Sequence, residues 1–223
     1  MIRYVTRLEN TTLAMDDKDK SAAIQRYAER ITELGPTVQA LGWRDEAQQQ
    51  LRFAVLSSIG SLDGKSVLDV GCGFGDFYGF LRESGVDIDY KGIDISPDML
   101  SVARKRYPEA KFDQVDLLTD RFTEKFDFVV ESGIFNHRVK DNEQFVCDMM
   151  VAMYEKCRLG IAANMMTTFV DYRDAHLYYY EPMQFFNFGK SLSKFVTLRH
   201  DYPLYEFSIF IYRQSVFMEC RGH

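Results

Sequence analysis

Cysteine is scarce: four stand among 223 residues, at 72, 147, 157 and 220, with no spacing that suits a disulfide framework or a zinc site. A reduced, cytoplasmic setting is the expectation. No run approaches about 18 consecutive apolar residues, and residues 1–20 are mixed polar, so neither a membrane span nor a signal peptide is predicted. Positive charge is short as well. Lys and Arg number 27 against 33 Asp and Glu, a net charge of −6, which disfavours a broad phosphate-binding surface and with it RNA or DNA as a substrate. The run Arg104-Lys105-Arg106 reads as the solvated face of a helix. The four histidines fall into no ligand spacing with each other or with carboxylates, so no metal site is predicted. Internal repeats and low-complexity tracts are missing, and the polar stretch Asn10 to Lys20 is the candidate linker, mobile before a ligand binds.

Apolar and aromatic residues make up 46% and 14% of the chain, ample for a single core. The densest local pattern runs Val67-Leu68-Asp69-Val70-Gly71-Cys72-Gly73-Phe74-Gly75-Asp76-Phe77, a buried strand that breaks into a glycine-rich turn and then a helix. Glycines at alternate positions leave a ledge of bare main chain on which a nucleotide-like cofactor can lie. A dinucleotide would need a third glycine at position 76, but Asp76 stands there, and with Asp69 it would repel a pyrophosphate and favour a cation. S-adenosylmethionine carries a sulfonium and an α-amino group and no phosphate. Nineteen residues beyond Gly75, Asp94 ends the strand Tyr90-Lys91-Gly92-Ile93-Asp94, where its carboxylate can accept from both ribose hydroxyls. Asp116, at the end of the strand Ala110 to Asp116, can accept from an adenine amino group, and Leu117 can add an apolar or backbone contact. Each acid is also an ordinary strand-end turn former or helix cap. Cys72 between its glycines reads as a small space-filler whose N–H is the useful part.

These segments, with Lys125 to His137, resemble in order and spacing the motifs of class I S-adenosylmethionine-dependent methyltransferases. The resemblance covers about residues 65–165, with weaker agreement to about 213. It implies a Rossmann-like fold, a seven-stranded mostly parallel sheet with helices on both faces and a C-terminal antiparallel hairpin, over residues 61–223, with an N-terminal helical cap at 1–60 over the cofactor cleft. It implies cofactor contacts at Asp69, Gly71, Cys72, Gly73, Gly75, Asp94, Ile95, Met99, Asp116, Leu117, Glu131 and Ser132, with S-adenosylhomocysteine as product. In similar enzymes a basic residue of the cap pairs with the methionine carboxylate. Arg52 is the candidate here, against a surface arginine lying on a core helix.

The remaining periodicities agree with that architecture. Helices are predicted over Ser21 to Leu34, Asp45 to Ile59, Asp76 to Glu83, Pro97 to Tyr107 and Asn142 to Lys156. A strand covers Arg158 to Asn164, and two alternating runs, Phe195 to Tyr202 and Glu206 to Arg213, form the closing hairpin. Met149, Met150 and Met153 read as core. Between lies an aromatic segment. Phe169, Tyr172 and Tyr178 to Tyr180 suit a lid over an apolar acceptor, while Phe185, Phe186 and Phe188 belong to a helix begun at Pro182 that packs on the sheet.

Methyl transfer is an in-line displacement that asks mainly for alignment, with a base only where the acceptor must lose a proton. His137, after the fourth strand, is the candidate base because its ordinary pKa suits neutral conditions, and Asn136 the candidate for orienting the acceptor; His176 and His200 are weaker choices. The expected reaction methylates a small molecule at oxygen or nitrogen. Alternatives are a protein or RNA acceptor, a non-catalytic S-adenosylmethionine-binding regulator, and a nicotinamide-dependent dehydrogenase. Oligomeric state is open.

Overall fold

The computed structural model describes residues 15–216. Residues 10–14 of the candidate linker and Cys220 lie outside them. The elements follow in the order α1 (Asp17–Leu34), α2 (Glu46–Ser57), β1 (Lys65–Val70), α3 (Asp76–Glu83), β2 (Ile88–Asp94), α4 (Pro97–Arg106), β3 (Lys111–Gln114), β4 (Phe126–Glu131), α5 (Asn142–Lys156), β5 (Cys157–Met166), α6 (Pro182–Leu192), β6 (Phe195–Arg199) and β7 (Glu206–Tyr212). One seven-stranded sheet results, ordered β3-β2-β1-β4-β5-β7-β6, parallel except where β7 enters antiparallel between β5 and β6. The Rossmann-like expectation is met strand for strand.

Local chemistry sets the helix starts. Ser96 accepts from the Met99 N–H and Pro97 occupies the first turn of α4, while Asp45 and Asp141 cap α2 and α5. The acidic run read as a linker instead begins α1. Asp16 accepts from the N–H groups of Lys18 and Asp19, and the Asp19 carboxylate accepts from the Asp16 N–H, a reciprocal cap that starts the helix four residues before the apolar pattern does.

Each sheet face buries its own core, because the parallel strands are apolar on both sides. Leu68, Val70 and Val129 face α5 and α6, with Phe145, Met150, Met153, Phe185 and Phe188. Val67, Val130 and Ala162 face α2, α3 and α4, with Phe53, Leu56, Phe77 and Leu100. The methionines and the α6 phenylalanines are core, as expected. Helix α1 differs: none of its residues is buried, and it rests on the rest of the protein through Tyr27 and Ile31 against Ala40, Phe74 and Met99. No helix among the described residues is long and apolar enough to cross a membrane.

Candidate cofactor and acceptor site

A cavity opens at the carboxyl ends of β1, β2 and β4, where the strand order runs outward in both directions from β1 and β4. Such a switch point leaves a crevice between neighbouring strand-to-helix loops. Helix α1 and the turn bearing Leu41 and Trp43 roof it.

Gly71 and Gly73 form its floor, with φ of +70° and +54°. A Cβ on Gly71 would stand 2.1 Å from Cγ2 of Ile134, so the turn accepts no side chain there. The Gly71 and Cys72 N–H groups donate to the Ile93 carbonyl at 2.8 and 3.0 Å, which ties the ledge to β2. Cys72 is buried, and its Sγ lies 2.7 Å from where a Cβ on Gly92 would fall, the space-filling place predicted for it. Gly75 has a structural part to play. It does not line the cavity; it begins α3 at φ +77°, and its missing Cβ makes room for Phe112 and Tyr107.

Five acids reach the cavity: Asp19 of α1, whose carboxylate accepts from the Lys140 N–H at 3.0 Å, and four at the sheet edge. The Asp94 carboxylate accepts from the Gly73 N–H at 3.0 Å and from the Ser96 N–H at 2.8 Å, which aims it across the ledge; burial raises its pKa. Asp69 accepts from the Tyr90 hydroxyl at 2.7 Å, and burial pushes its carboxyl up to about 7. Asp76 holds Arg106 at 2.7 Å and accepts from Gln49 at 3.1 Å, with its pKa raised by burial. Arg106 makes this pair from the exposed face of α4 predicted for it. Asp116 lies in the loop after β3, two residues past the strand's end, paired with Lys20 of α1 at 2.6 Å. Burial would raise Asp116, but the Lys20 ammonium and the Leu118 N–H outweigh it and hold the carboxyl low. Ile95, Met99, Leu117 and Ser132 line the same space.

Besides Gly75, three predicted site residues lie outside the cavity lining. Arg52 does not line the cavity. Its Nε donates to both carboxylate oxygens of Glu206, at 2.8 and 2.9 Å, its Nη2 donates to one of them, and the guanidinium lies 4.2 Å from the Trp43 ring centroid. In the structure its carboxylate partner is thus Glu206, in a buried ion pair. Glu131 is fully buried behind the loop, accepting from the Ile134 and Asn164 N–H groups at 3.3 and 3.0 Å. Its task is to brace the turn that carries Ser132 and Gly133, and burial raises its pKa well above the usual range. Asn136 is buried with its Oδ1 unpartnered, outside the cavity lining, so it does not stand ready to orient an acceptor there.

His137 does line the cavity, edge-on to Tyr27 with ring centroids 6.1 Å apart. Burial, reinforced by Arg26 and Arg30, lowers its pKa to about 4. At pH 7 the imidazole is therefore neutral and a weaker base than an ordinary histidine, with a nitrogen free to accept a hydrogen bond. The aromatic segment is reassigned. Tyr180 is core, its hydroxyl donating to the Phe135 carbonyl at 2.7 Å, Phe169 and Tyr172 face solvent, and none of the segment's aromatic side chains lines the cavity. The roof comes instead from Ala23, Tyr27, Leu41 and Trp43. Sequence held a signal for α1: the stripe Ile24, Tyr27, Ala28, Ile31 and Leu34 reads as a core face, and the structure turns Ile24 and Tyr27 of it onto the cavity.

A ledge of bare backbone at the switch point of a parallel α/β sheet, with acids at the tips of neighbouring strands, defines a Rossmann-like protein that binds a nucleoside-type cofactor. The missing Cβ atoms and the acid-rich donor set fit S-adenosylmethionine. Comparison with known proteins agrees. A methyltransferase-domain family model matches residues 67–156. A Mycobacterium tuberculosis protein named as a methyltransferase is 35% identical over 165 residues, 70% of this chain and 98% of that protein. The dTDP-3-amino-3,4,6-trideoxy-alpha-D-glucopyranose N,N-dimethyltransferase of Streptomyces venezuelae is 38% identical over 88 residues, 39% of this chain and 36% of its own length. Among solved structures, the magnesium protoporphyrin IX methyltransferase of Synechocystis PCC 6803 with bound S-adenosylhomocysteine shares the fold, with a TM-score of 0.65 and 15% identity over 88% of this chain and 100% of that one. The chain belongs to the class I S-adenosylmethionine-dependent methyltransferases.

Proposed function

We propose that the protein methylates a small molecule at oxygen or nitrogen. One observation carries the reading: the cavity is roofed by α1 and the Leu41–Trp43 turn rather than open as a groove, so the acceptor must fit beneath a lid. A protein or RNA chain would need an open, elongated path past Ser132 and Gly133. The names of the Streptomyces and Synechocystis relatives, an aminosugar and a porphyrin methyltransferase, support a small acceptor. A regulator without turnover would have its acceptor space filled, and the aromatic segment that could have filled it lies elsewhere.

Bound cofactor would supply a methyl carbon activated by its sulfonium. Asp94 would hold the ribose hydroxyls, Asp116 and Leu117 the adenine, and the main chain of Gly71, Cys72 and Gly73 the methionine end, with oxygens of Asp69 and Asp76 as acceptors for its α-amino group. Lys20, through its pair with Asp116, ties α1 down over the adenine end. Tyr27, Trp43 and Ile134 exclude water and align the acceptor, the main source of rate in such a displacement. His137 orients the acceptor by a hydrogen bond. Calorimetric titration with S-adenosylmethionine, S-adenosylhomocysteine and NAD tests the cofactor assignment. Binding of the first two and not the third is expected; binding of NAD alone would replace this reading with a dehydrogenase.

A further inference from the structure

Charge is unevenly divided around the cavity. Asp69, Asp76, Asp94 and Asp116 stand along the sheet edge and Asp19 near the start of α1, whereas Arg26 of α1 and Arg138 of the loop after β4 line the wall around His137. Arg30, one turn beyond Arg26, adds its charge to the same place. These arginines form no ion pair among the described residues. Arg30 donates to the backbone carbonyls of Ala40, at 2.9 Å, and Gln39. Arg138 donates to the Ala175 carbonyl at 2.8 Å and lies over the Tyr178 ring. Carbonyl dipoles orient a guanidinium and leave its charge uncancelled.

Arg26 lacks even that. Half-buried on the cavity wall, it makes no hydrogen bond or ion pair among the described residues. A guanidinium stays charged at all ordinary pH, and withdrawing it partly from water without an acceptor is unfavourable. Asp174, close enough to act on His137, accepts from the His176 N–H at 2.7 Å within its own turn, and Asp19, which also lines the cavity, accepts from the Lys140 N–H at 3.0 Å. In a chain with six more acids than bases, an unpaired cation held in the cavity is a built complement to an anion.

We infer that the acceptor carries a carboxylate, held by Arg26 on the lid side of the cavity, with an apolar body between Tyr27, Trp43 and Ile134. This rests on the methyl-transfer reading of the cavity and adds the substrate class. It also gives His137 a consistent place: beside an anion bound by arginine, a neutral imidazole orients without competing for the charge.

The test uses the full chain loaded with S-adenosylhomocysteine, with benzoate as probe, benzamide as its neutral isostere, and the His137 ring resonances in isotope-edited NMR as readout. Saturable millimolar binding of benzoate is expected, tighter than benzamide by about tenfold, the worth of one charge-assisted contact. Arg26→Gln should erase that preference while binding S-adenosylhomocysteine and methylthioadenosine as the parent does. Absence of saturable benzoate binding, equal binding of benzamide, or a preference that survives Arg26→Gln would overturn the inference. So would a variant that loses S-adenosylhomocysteine but keeps methylthioadenosine, since Arg26 would then serve the cofactor's own carboxylate. Failure of the parent to bind S-adenosylhomocysteine would instead remove the methyl-transfer reading, and the inference with it.

Discussion

Replacing Arg52 by methionine should destabilise the protein strongly and leave its cofactor affinity nearly intact. Arg52 and Glu206 are 6% and 1% exposed, so neither charge has water to turn to. Three hydrogen bonds join them, from Nε to both oxygens and from Nη2 to one. Removing the cation strands a buried carboxylate, which costs about 3–5 kcal/mol. For a chain of this size that corresponds to roughly 6–20 °C in Tm. Removing both charges, Arg52→Met with Glu206→Leu, replaces the pair by apolar volume and should recover most of the loss, with a coupling of about 2–3 kcal/mol in the double-mutant cycle. Urea unfolding of the four proteins, with their m-values compared, gives the cycle, and calorimetry with S-adenosylhomocysteine gives the affinity. The reasoning fails if Arg52→Met unfolds at the parent midpoint while losing about tenfold or more in affinity, for the guanidinium would then be a cofactor ligand after all.

Other outcomes follow from the same geometry. Asp94→Ala should weaken S-adenosylhomocysteine binding by about 1–3 kcal/mol, and unchanged affinity in calorimetry would remove it from the ribose site. Gly71→Ala should cost about 1–3 kcal/mol in urea unfolding, because its Cβ falls 2.1 Å from Ile134 at a φ of +70°; a neutral result would mean the turn has another conformation. Asp69 rises from 3.8 to about 7 on burial, so the folded chain keeps a proton that the unfolded chain releases. Its contribution is full below 3.8 and is lost as pH rises through about 7. The stability of the parent relative to Asp69→Asn should therefore fall over that window, and an opposite slope would contradict the buried, protonated carboxyl. With His137 lowered to about 4, the rate at saturating cofactor should show no inflection near 6.5; one that vanishes in His137→Ala would restore it as a titrating base.

Much of the fold could be read along the chain because its signals are short-range. Strand-turn-helix alternation, the caps Ser96 and Asp141, and the run of glycines each depend on neighbours within a few residues. Asp94 was legible for the same reason: a strand-end acid at a set distance past the ledge needs no knowledge of the far chain. Errors arose where local patterns are ambiguous. The acidic run at Asp16 to Lys20 has a linker's composition, yet its acids and N–H groups cap each other and start α1. Tyr180 belongs to a polar-looking tyrosine run, yet its hydroxyl finds the Phe135 carbonyl 45 residues away, which lets the ring join the core.

Periodicity tells which face of its own helix or strand a residue occupies, and here that sufficed for the ledge, the acids at the strand tips and the two-sided core. It cannot say which distant group meets that face. Arg52 meets Glu206 across 154 residues, Lys20 meets Asp116, and Gly75 makes way for Phe112. The charge division of the cavity arises in the same way, since α1 brings Arg26 opposite the acids of the sheet edge only once the chain has closed over itself.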